Sequence, residues 1–541
     1  MKSPTTHSQT AGKPGKAAGR NLIDGPILPT IILFSLPMLG SNILQSLSMT
    51  MNAVWVSHIL GPAALTATVN AQIIMMMLMG AVFGVGMAAN IVLAQEVGAG
   101  NMRDAKRVVG TAMGFFVAAS IMLAGIGFVL SPMMLNWMNT PQDAHDQAVI
   151  YLRYTCLTMP FSFTFLFAQM LMRGTGDSQT PFSFSLLHIT LSIILTPLFI
   201  VGALGFPRFG IAGAAMGNLV AQAIALTGLL VHVYRADLPV ALKGPDLKLL
   251  FPDFAILKVF VLRGIPMGLQ MFVISGASLV LLAMVNQHGS DVAAAYGAAT
   301  QLWAYLQMPA MALSASVSSI AAQNIGANRW DRVEQLAKSS VFLGLGITVA
   351  SILLIYALGD LPMQLFLPAS SNALKAGMEI NSIVLWSWAP FAIAFVLFGI
   401  VRANGATVPP TAILFVTLWL VRVPFAEFLQ PALGRAAIWW SFPVGTIGAA
   451  ALAVAYYRWG KWREKTISPA NFGRTAAPIA EVAAAHPEAF AETPDGATAA
   501  MPVSSLSPAI LRQDAETIAA LRREIEAMRA RLALADETRN A

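Results

Sequence analysis

Long uninterrupted apolar runs constrain this chain more than any other feature. Ile27 to Val56 and Ile438 to Tyr457 are two of about a dozen such stretches. A helix crossing a bilayer needs about 20 mainly apolar residues. Inside lipid, every backbone N–H and C=O must be paired within the helix or within a closed barrel. These runs far exceed the roughly 10 residues of a barrel strand and lack its two-residue alternation. They are therefore expected to be helices. Hydrophobic residues make up 56% of the 541 positions and charged residues 11%, about half the charge of a soluble domain. The fold class expected is an all-α membrane protein with about twelve transmembrane helices. They are placed at 27–57, 63–94, 107–136, 147–172, 181–203, 210–234, 255–286, 292–322, 339–366, 378–401, 411–430 and 436–457.

The net charge of +7 is informative through its placement. Lys and Arg collect in alternate connections: before the first span (Lys2, Lys13, Lys16, Arg20), after the second (Arg103, Lys106, Arg107), after the sixth (Arg235, Lys243, Lys248), after the eighth (Arg329, Arg332, Lys338) and after the last (Arg458, Lys461, Arg463). The opposite connections hold only Arg208, Lys375 and Arg435. The positive-inside rule then puts both termini in the cytoplasm and requires an even number of spans. The basic balance is thus a topology signal, and nucleic acid is not an expected partner. A lone Cys156 excludes a disulfide framework and a thiolate metal cluster. The polar first 25 residues carry no small-residue cleavage site, so the first span is expected to be a retained helix.

The membrane region repeats. With an offset near 229, Leu36-Pro37-Met38 falls on Ile265-Pro266-Met267, and Gln95-Glu96-Val97-Gly98-Ala99 falls on Gln323-Asn324-Ile325-Gly326-Ala327. Pro160-Phe161 falls on Pro390-Phe391, and Arg173, Gly176 and Pro181 fall on Arg402, Gly405 and Pro410. Two six-helix repeats of like orientation follow, around a central cavity, an architecture common among alternating-access transporters. The domain reading is a cytoplasmic tail (1–25), a first lobe (26–235), a cytoplasmic linker (236–254), a second lobe (255–465), a disordered linker (466–506) and a terminal segment (507–541).

The repeated loops also carry a family resemblance. Arg173-Gly174-Thr175-Gly176-Asp177-Ser178-Gln179-Thr180-Pro181 resembles the RGxGDxxxP loop of the multidrug and toxic compound extrusion (MATE) family. Gln95 to Asn101 resembles that family's QxxGAGN segment, and Gly210 to Ala215 the start of its helix six. Trp419, Arg422, Pro424, Ile438 and Trp439 resemble its helices eleven and twelve. The resemblance covers residues 21–465. It implies a secondary transporter at the bacterial inner membrane that exports small organic, often cationic, compounds in exchange for H+ or Na+, without a cofactor. Arg173, Gly174, Gly176, Asp177, Pro181, Arg402 and Gly405 would be loop or hinge residues. Gly174 and Gly176 permit a tight turn, Pro181 suits a helix start, and Asp177 suits a helix N-terminus.

The chain departs from the family pattern where coupling is expected. Many members carry a carboxylate in helix one, where Asn52 stands here, and an NxxxDP segment in helix five, where Ser192, Thr196 and Pro197 stand here. Asn218 replaces a threonine common in helix six. Helix seven offers Gln270 and Ser275 where some branches carry a glutamate. These side chains can bond a ligand or offer oxygen to Na+, but they do not carry a proton. His188, one turn before Ser192, is the remaining proton candidate; its plainer reading is a neutral histidine bonding between helices. Arg422 and Glu427 are further intramembrane charges, Glu427 being a second coupling candidate. Gln301 and the aromatic residues of helices eight and ten, including Trp303, Tyr305, Trp386 and Trp388, read as a pocket wall for a planar cation or as interfacial belts.

After Ser507-Pro508, Leu511, Ile518, Ile525 and Leu532 recur every seven residues, the pattern of a short coiled coil suited to self-association or to a partner protein. Two other functions compete: a lipid or lipid-linked oligosaccharide flippase of the wider superfamily, and a transporter-derived scaffold or receptor. No lysine lies well inside a span to serve a pyrophosphate head group, which favours the exporter. An enzyme finds no support, since the spans hold no metal cluster, paired carboxylates or nucleophile motif.

Overall fold

A computed structural model gives the architecture. It describes residues 22–464 apart from 138, 139, 141, 203, 204, 206, 239 and 369, so the heptads at 507–541 lie outside the described residues. Twelve long helices follow one another: α1 (Ile27–Leu60), α2 (Pro62–Gly98), α3 (Met102–Trp137), α4 (Gln142–Gly174), α5 (Gln179–Val201), α6 (Ile211–Arg235), α7 (Phe254–Asn286), α8 (Ser290–Gly326), α9 (Trp330–Leu358), α10 (Asn372–Ala403), α11 (Val408–Leu433) and α12 (Ala436–Trp459). Eleven of them are long and apolar enough to span a membrane. The other, α8, is long enough but carries Ser314, Ser316, Ser318, Ser319, Gln323 and Asn324 along one end. That end is buried at the centre of the bundle, where neighbouring helices rather than lipid meet the polar groups.

Two features depart from the spans expected. The ninth span is not 339–366: α9 begins at Trp330 and stops at Leu358, because Gly359 turns left-handed at φ 64° and Pro362 follows. In α11, residues Val416–Arg422 widen into a π-helical turn just before Pro424. A proline there lacks an N–H and crowds the carbonyl four residues back, and the wider turn relieves that crowding.

The hydrophobic cores show how the two repeated halves, α1–α6 and α7–α12, meet. One core mixes residues of both, among them Phe34, Val92, Phe260, Val317 and Phe398. It lies at the end of the bundle where the basic loops cluster. At the opposite end each half has its own core, built on Val56, Ala67 and Leu152 in the first and on Leu281, Trp303 and Ile438 in the second. The halves therefore share a core at the basic end and have separate cores at the other. The central helices agree: α2 is buried all round from Ala88 to Glu96 and α8 from Ser316 to Ile325. Farther from the closure they expose Ile73 and Met76, and Gln301 and Tyr305.

The repeat is visible in this closure. Asn90 Nδ2 donates to Ser319 Oγ at 3.2 Å, one residue beyond its repeat mate Ser318, so near-equivalent positions touch across the axis. Gln95 Nε2 donates to Ala403 O at 2.6 Å, while its repeat mate Gln323 donates to Gly174 O at 2.8 Å. A Cβ on Gly98 would strike the Gln323 backbone, and one on Gly326 would strike Gln95. Reciprocal contacts of this kind mark a pseudo-two-fold axis. The preceding segment adds to the seal: Leu22 is buried and its carbonyl accepts from Asn324 Nδ2 at 3.1 Å.

Candidate functional site

The loop residues are fixed by local bonding. Asp177 Oδ1 accepts from the backbone N–H groups of Gln179 and Thr180, both at 3.0 Å, which caps α5 ahead of Pro181. Gly176 takes φ 93° and its repeat mate Gly405 φ 81°. Gly174 packs against Asn90, where a side chain would find no room. Arg173 Nη2 reaches Gln169 Oε1 at 3.5 Å. Arg402 donates to Ser314 Oγ at 3.0 Å and to Gln270 Oε1 at 3.5 Å. Gln270 is thus buried and engaged by an arginine of the closure, not presented to an open space.

In the first half, α5 and α6 bring three of the sequence candidates together. His188 Nε2 lies 3.1 Å from Asn218 Oδ1, and Ser192 Oγ donates to the same oxygen at 3.5 Å. A carbonyl oxygen cannot donate, so with the Asn218 amide in this orientation the bond uses the tautomer of His188 that carries its proton on Nε2. Two donors converging on one acceptor use both of its lone pairs. Thr196 is buried one turn further along α5, where Gly217 lets α6 approach its backbone to 2.7 Å from a built Cβ. Asn52 sits apart from this group: its Nδ2 donates to the Tyr151 hydroxyl at 3.3 Å, and its Oδ1 is buried without a partner. Tyr151, on α4, was not legible as a partner, since nothing in its sequence surroundings points to α1.

The second-half candidates do not converge. Ser275 is half-buried, whereas Gln301 and Glu427 are exposed on α8 and α11. The dense feature of this half is aromatic. Tyr296, Trp303, Trp388, Trp439 and Phe442 pack with ring centroids 5.0 to 6.4 Å apart. Trp388 is buried here, so it belongs to no interfacial belt; its neighbour Trp386 is exposed. Arg422, at the end of the π-helical turn, lays its guanidinium on the Phe442 ring, 3.4 Å from the centroid. Among the described residues no group of three or more His, Cys, Asp or Glu could hold a metal ion.

Comparison with known proteins places this architecture. The family model MatE matches residues 37–198 and again 266–428, once in each half. A probable multidrug resistance protein of Bacillus subtilis, YoeA, is 31% identical over 438 residues, covering 81% of this chain and 94% of that protein. An FAD transporter of Shewanella oneidensis is 27% identical over 318 residues, 58% of this chain and 69% of that protein. A mutant of the Vibrio cholerae MATE transporter VcmN shares the fold, with a TM-score of 0.74 over 80% of this chain and 96% of that one at 18% identity. With both halves matched and a relative aligned almost end to end, the chain belongs to the MatE family of multi-pass membrane transporters.

Proposed function

We propose that this transporter exports small organic compounds across a bacterial cytoplasmic membrane by alternating access, driven by proton entry. The observation that carries the reading is the closure itself: two repeated halves joined by reciprocal contacts at one end and standing on separate cores at the other. Rocking about such a seam exposes a central space to one side at a time. The joined end bears Arg107, Arg263 and Arg329, and the positive-inside rule assigns it to the cytoplasm. The arrangement described is then the one joined on the cytoplasmic side.

Relatives named as a multidrug resistance protein and as an FAD transporter support small organic molecules as cargo. For coupling, geometry favours H+ over Na+. Sodium needs several free oxygen ligands, yet Asn218 Oδ1 is already committed to His188 and Ser192. His188 has Nδ1 left to accept a proton. The test is transport of a fluorescent organic compound into everted vesicles, whose cytoplasmic face is outward, under imposed proton or sodium gradients. A proton gradient should drive uptake into the vesicles, and His188→Ala should lower that rate by about 10- to 100-fold while leaving gradient-free exchange intact. Sodium-driven transport, or full proton-driven transport by His188→Ala, would overturn the coupling. Absence of transport under either gradient by folded protein would overturn the exporter.

A further inference from the structure

The aromatic cluster of the second half holds more donors than acceptors, its acceptors being the Tyr296 hydroxyl near Arg422 and the Asn381 amide oxygen. Arg422 is nine-tenths buried, and none of its nitrogens has a hydrogen-bond partner among the described residues; its Nε is fully enclosed. Among the described residues no carboxylate lies within ion-pair distance of it; Arg435 of the same half, by contrast, pairs with Glu379. One face of the guanidinium is occupied by Phe442. Gly445 makes room for the stem, a built Cβ there standing 3.3 Å from Arg422 Cβ and Cδ. The edges, which carry the N–H groups, make no hydrogen bond among the described residues, although the Tyr296 hydroxyl lies near enough to interact electrostatically.

Two indoles of the same cluster share this state. Trp439 Nε1 and Trp388 Nε1 are buried without partners. Trp439 stacks on Tyr296 at 6.0 Å, and Tyr296 in turn meets Phe442, the ring under Arg422, at 6.4 Å. By contrast, Trp303 Nε1 in the same cluster is satisfied, donating to Asn381 Oδ1 at 3.1 Å. The unpaired groups are thus one cation and two N–H donors set among rings. A buried charge without an acceptor is costly in a membrane interior, and the cost is relieved only by an anion or a strong acceptor brought in from outside. Arginine's planar fork suits a carboxylate, and the surrounding rings suit a flat body. The cluster lies in the part of the second half away from the closed seam, where each half has its own core.

We propose that Arg422 is the charge partner for a planar aromatic carboxylate, with Trp439 and Trp388 as auxiliary donors, so that the second half selects anionic or zwitterionic cargo. This rests on the exporter reading and narrows its cargo; the simple organic cation implied by the family resemblance would meet a repelling charge here.

The test is equilibrium binding by calorimetry, using the full chain purified in nanodiscs of zwitterionic lipid. The probes are 2-naphthoate and 2-naphthylmethylammonium, which share a body and differ in charge. The wild type should bind naphthoate at least about tenfold tighter than the ammonium. Arg422→Gln should remove that preference, and Arg422→Lys should keep part of it. Trp439→Phe, which retains the ring and deletes the N–H, should weaken naphthoate about threefold. It also keeps the test decisive if Arg422→Gln does not fold. Equal binding of both probes by the wild type, or unchanged naphthoate affinity in folded Arg422→Gln and Trp439→Phe, would overturn the proposal. So would displacement of naphthoate by added anionic lipid with equal loss in all variants, which would place it at a lipid site. Since binding is read without transport, a failed efflux assay with naphthoate preference intact would count against the exporter and not against this site.

Discussion

The two halves differ most where their helices correspond. The 229-residue offset that sets Arg173 on Arg402 and Pro181 on Pro410 also sets α11 on α5. It puts Arg422 opposite Ile193, next to Ser192. In the first half that region is neutral: His188 and Ser192 share one amide oxygen of Asn218. In the second half it is a cation on an aromatic floor that makes no hydrogen bond among the described residues. At the closed seam the halves remain nearly interchangeable, Gln95 and Gln323 each reaching the last carbonyls of the other half's helix. The contrast separates two demands on a duplicated transporter. The seam must close on itself, and complementarity to its own copy preserves it. The interior faces a cargo and a driving ion, which are not symmetric, so each half is free to specialise.

The strongest way to break this comparison is to stop the seam from opening. In a Cys156→Ala background, Asn90→Cys with Ser319→Cys places two thiols where side chains now touch. Bridging them with a short bifunctional thiol reagent should cut efflux by more than about tenfold, and reduction should restore it, because only one of the two states would remain populated. Full activity in the bridged protein would show that the seam does not part during transport. Naphthoate binding should survive the bridge, since the Arg422 cluster lies in a core that the seam does not share.

Removing one glutamine at a time sharpens the symmetry. Gln95→Ala strips the Ala403 carbonyl of its donor and Gln323→Ala strips that of Gly174, and all of these groups are buried. Each loss should cost about 1–3 kcal/mol, a shift of roughly 5- to 150-fold toward the cytoplasm-open state. Reactivity of a cysteine placed at Gly98's neighbour Ala99 toward a membrane-impermeant thiol reagent, applied to everted vesicles, reads that shift. Equal shifts from both variants fit a symmetric seam. A large shift from one and none from the other would show that Leu22, which seals only the Asn324 side, breaks the symmetry.

What the sequence shows depends on how far apart the interacting residues are. Helices were legible because each one satisfies its own backbone, so the apolar run alone implies it. The duplication was legible because Gln95 to Ala99 and Arg173 to Pro181 repeat as contiguous strings. His188, Ser192 and Asn218 could be nominated because polar groups are rare in spans, and α5 and α6 are neighbours in the chain. Partners on distant helices left no such trace. Tyr151 beside Asn52, and Ser314 and Gln270 beside Arg402, are joined only by packing. The rings around Arg422 come from α8, α10 and α12, and their convergence needs the bundle. The end of α9 was misplaced because Leu361 to Leu367 is apolar enough to continue a helix, and Gly359 alone stops it.

The smallest expected effect concerns the segment that links the halves. It is tied to α3 by Lys106 with Asp246 and by Arg107 with Asp253, both at 2.7 Å and both partly exposed. Exposed pairs of this kind are worth about 0–1 kcal/mol, so Lys106→Ala should lower the thermal midpoint by under about 2 °C and leave efflux unchanged. Asp253 has additional duties. It accepts from Ala255 N at 2.9 Å, capping α7, and its own N–H donates to Thr111 Oγ1 at 3.2 Å. Asp253→Ala should therefore cost more than Asp246→Ala by roughly the value of a helix cap, about 1 kcal/mol. Asp253→Asn should recover most of that difference, because an amide oxygen still caps while the ion pair is lost. Raising ionic strength should erase the Lys106 effect and spare the Asp253 cap. If both aspartates behave alike and both effects vanish in salt, charge alone ties the linker to α3. If they diverge as expected, the first half holds the second through the start of α7, and the two halves share a structural joint as well as a seam.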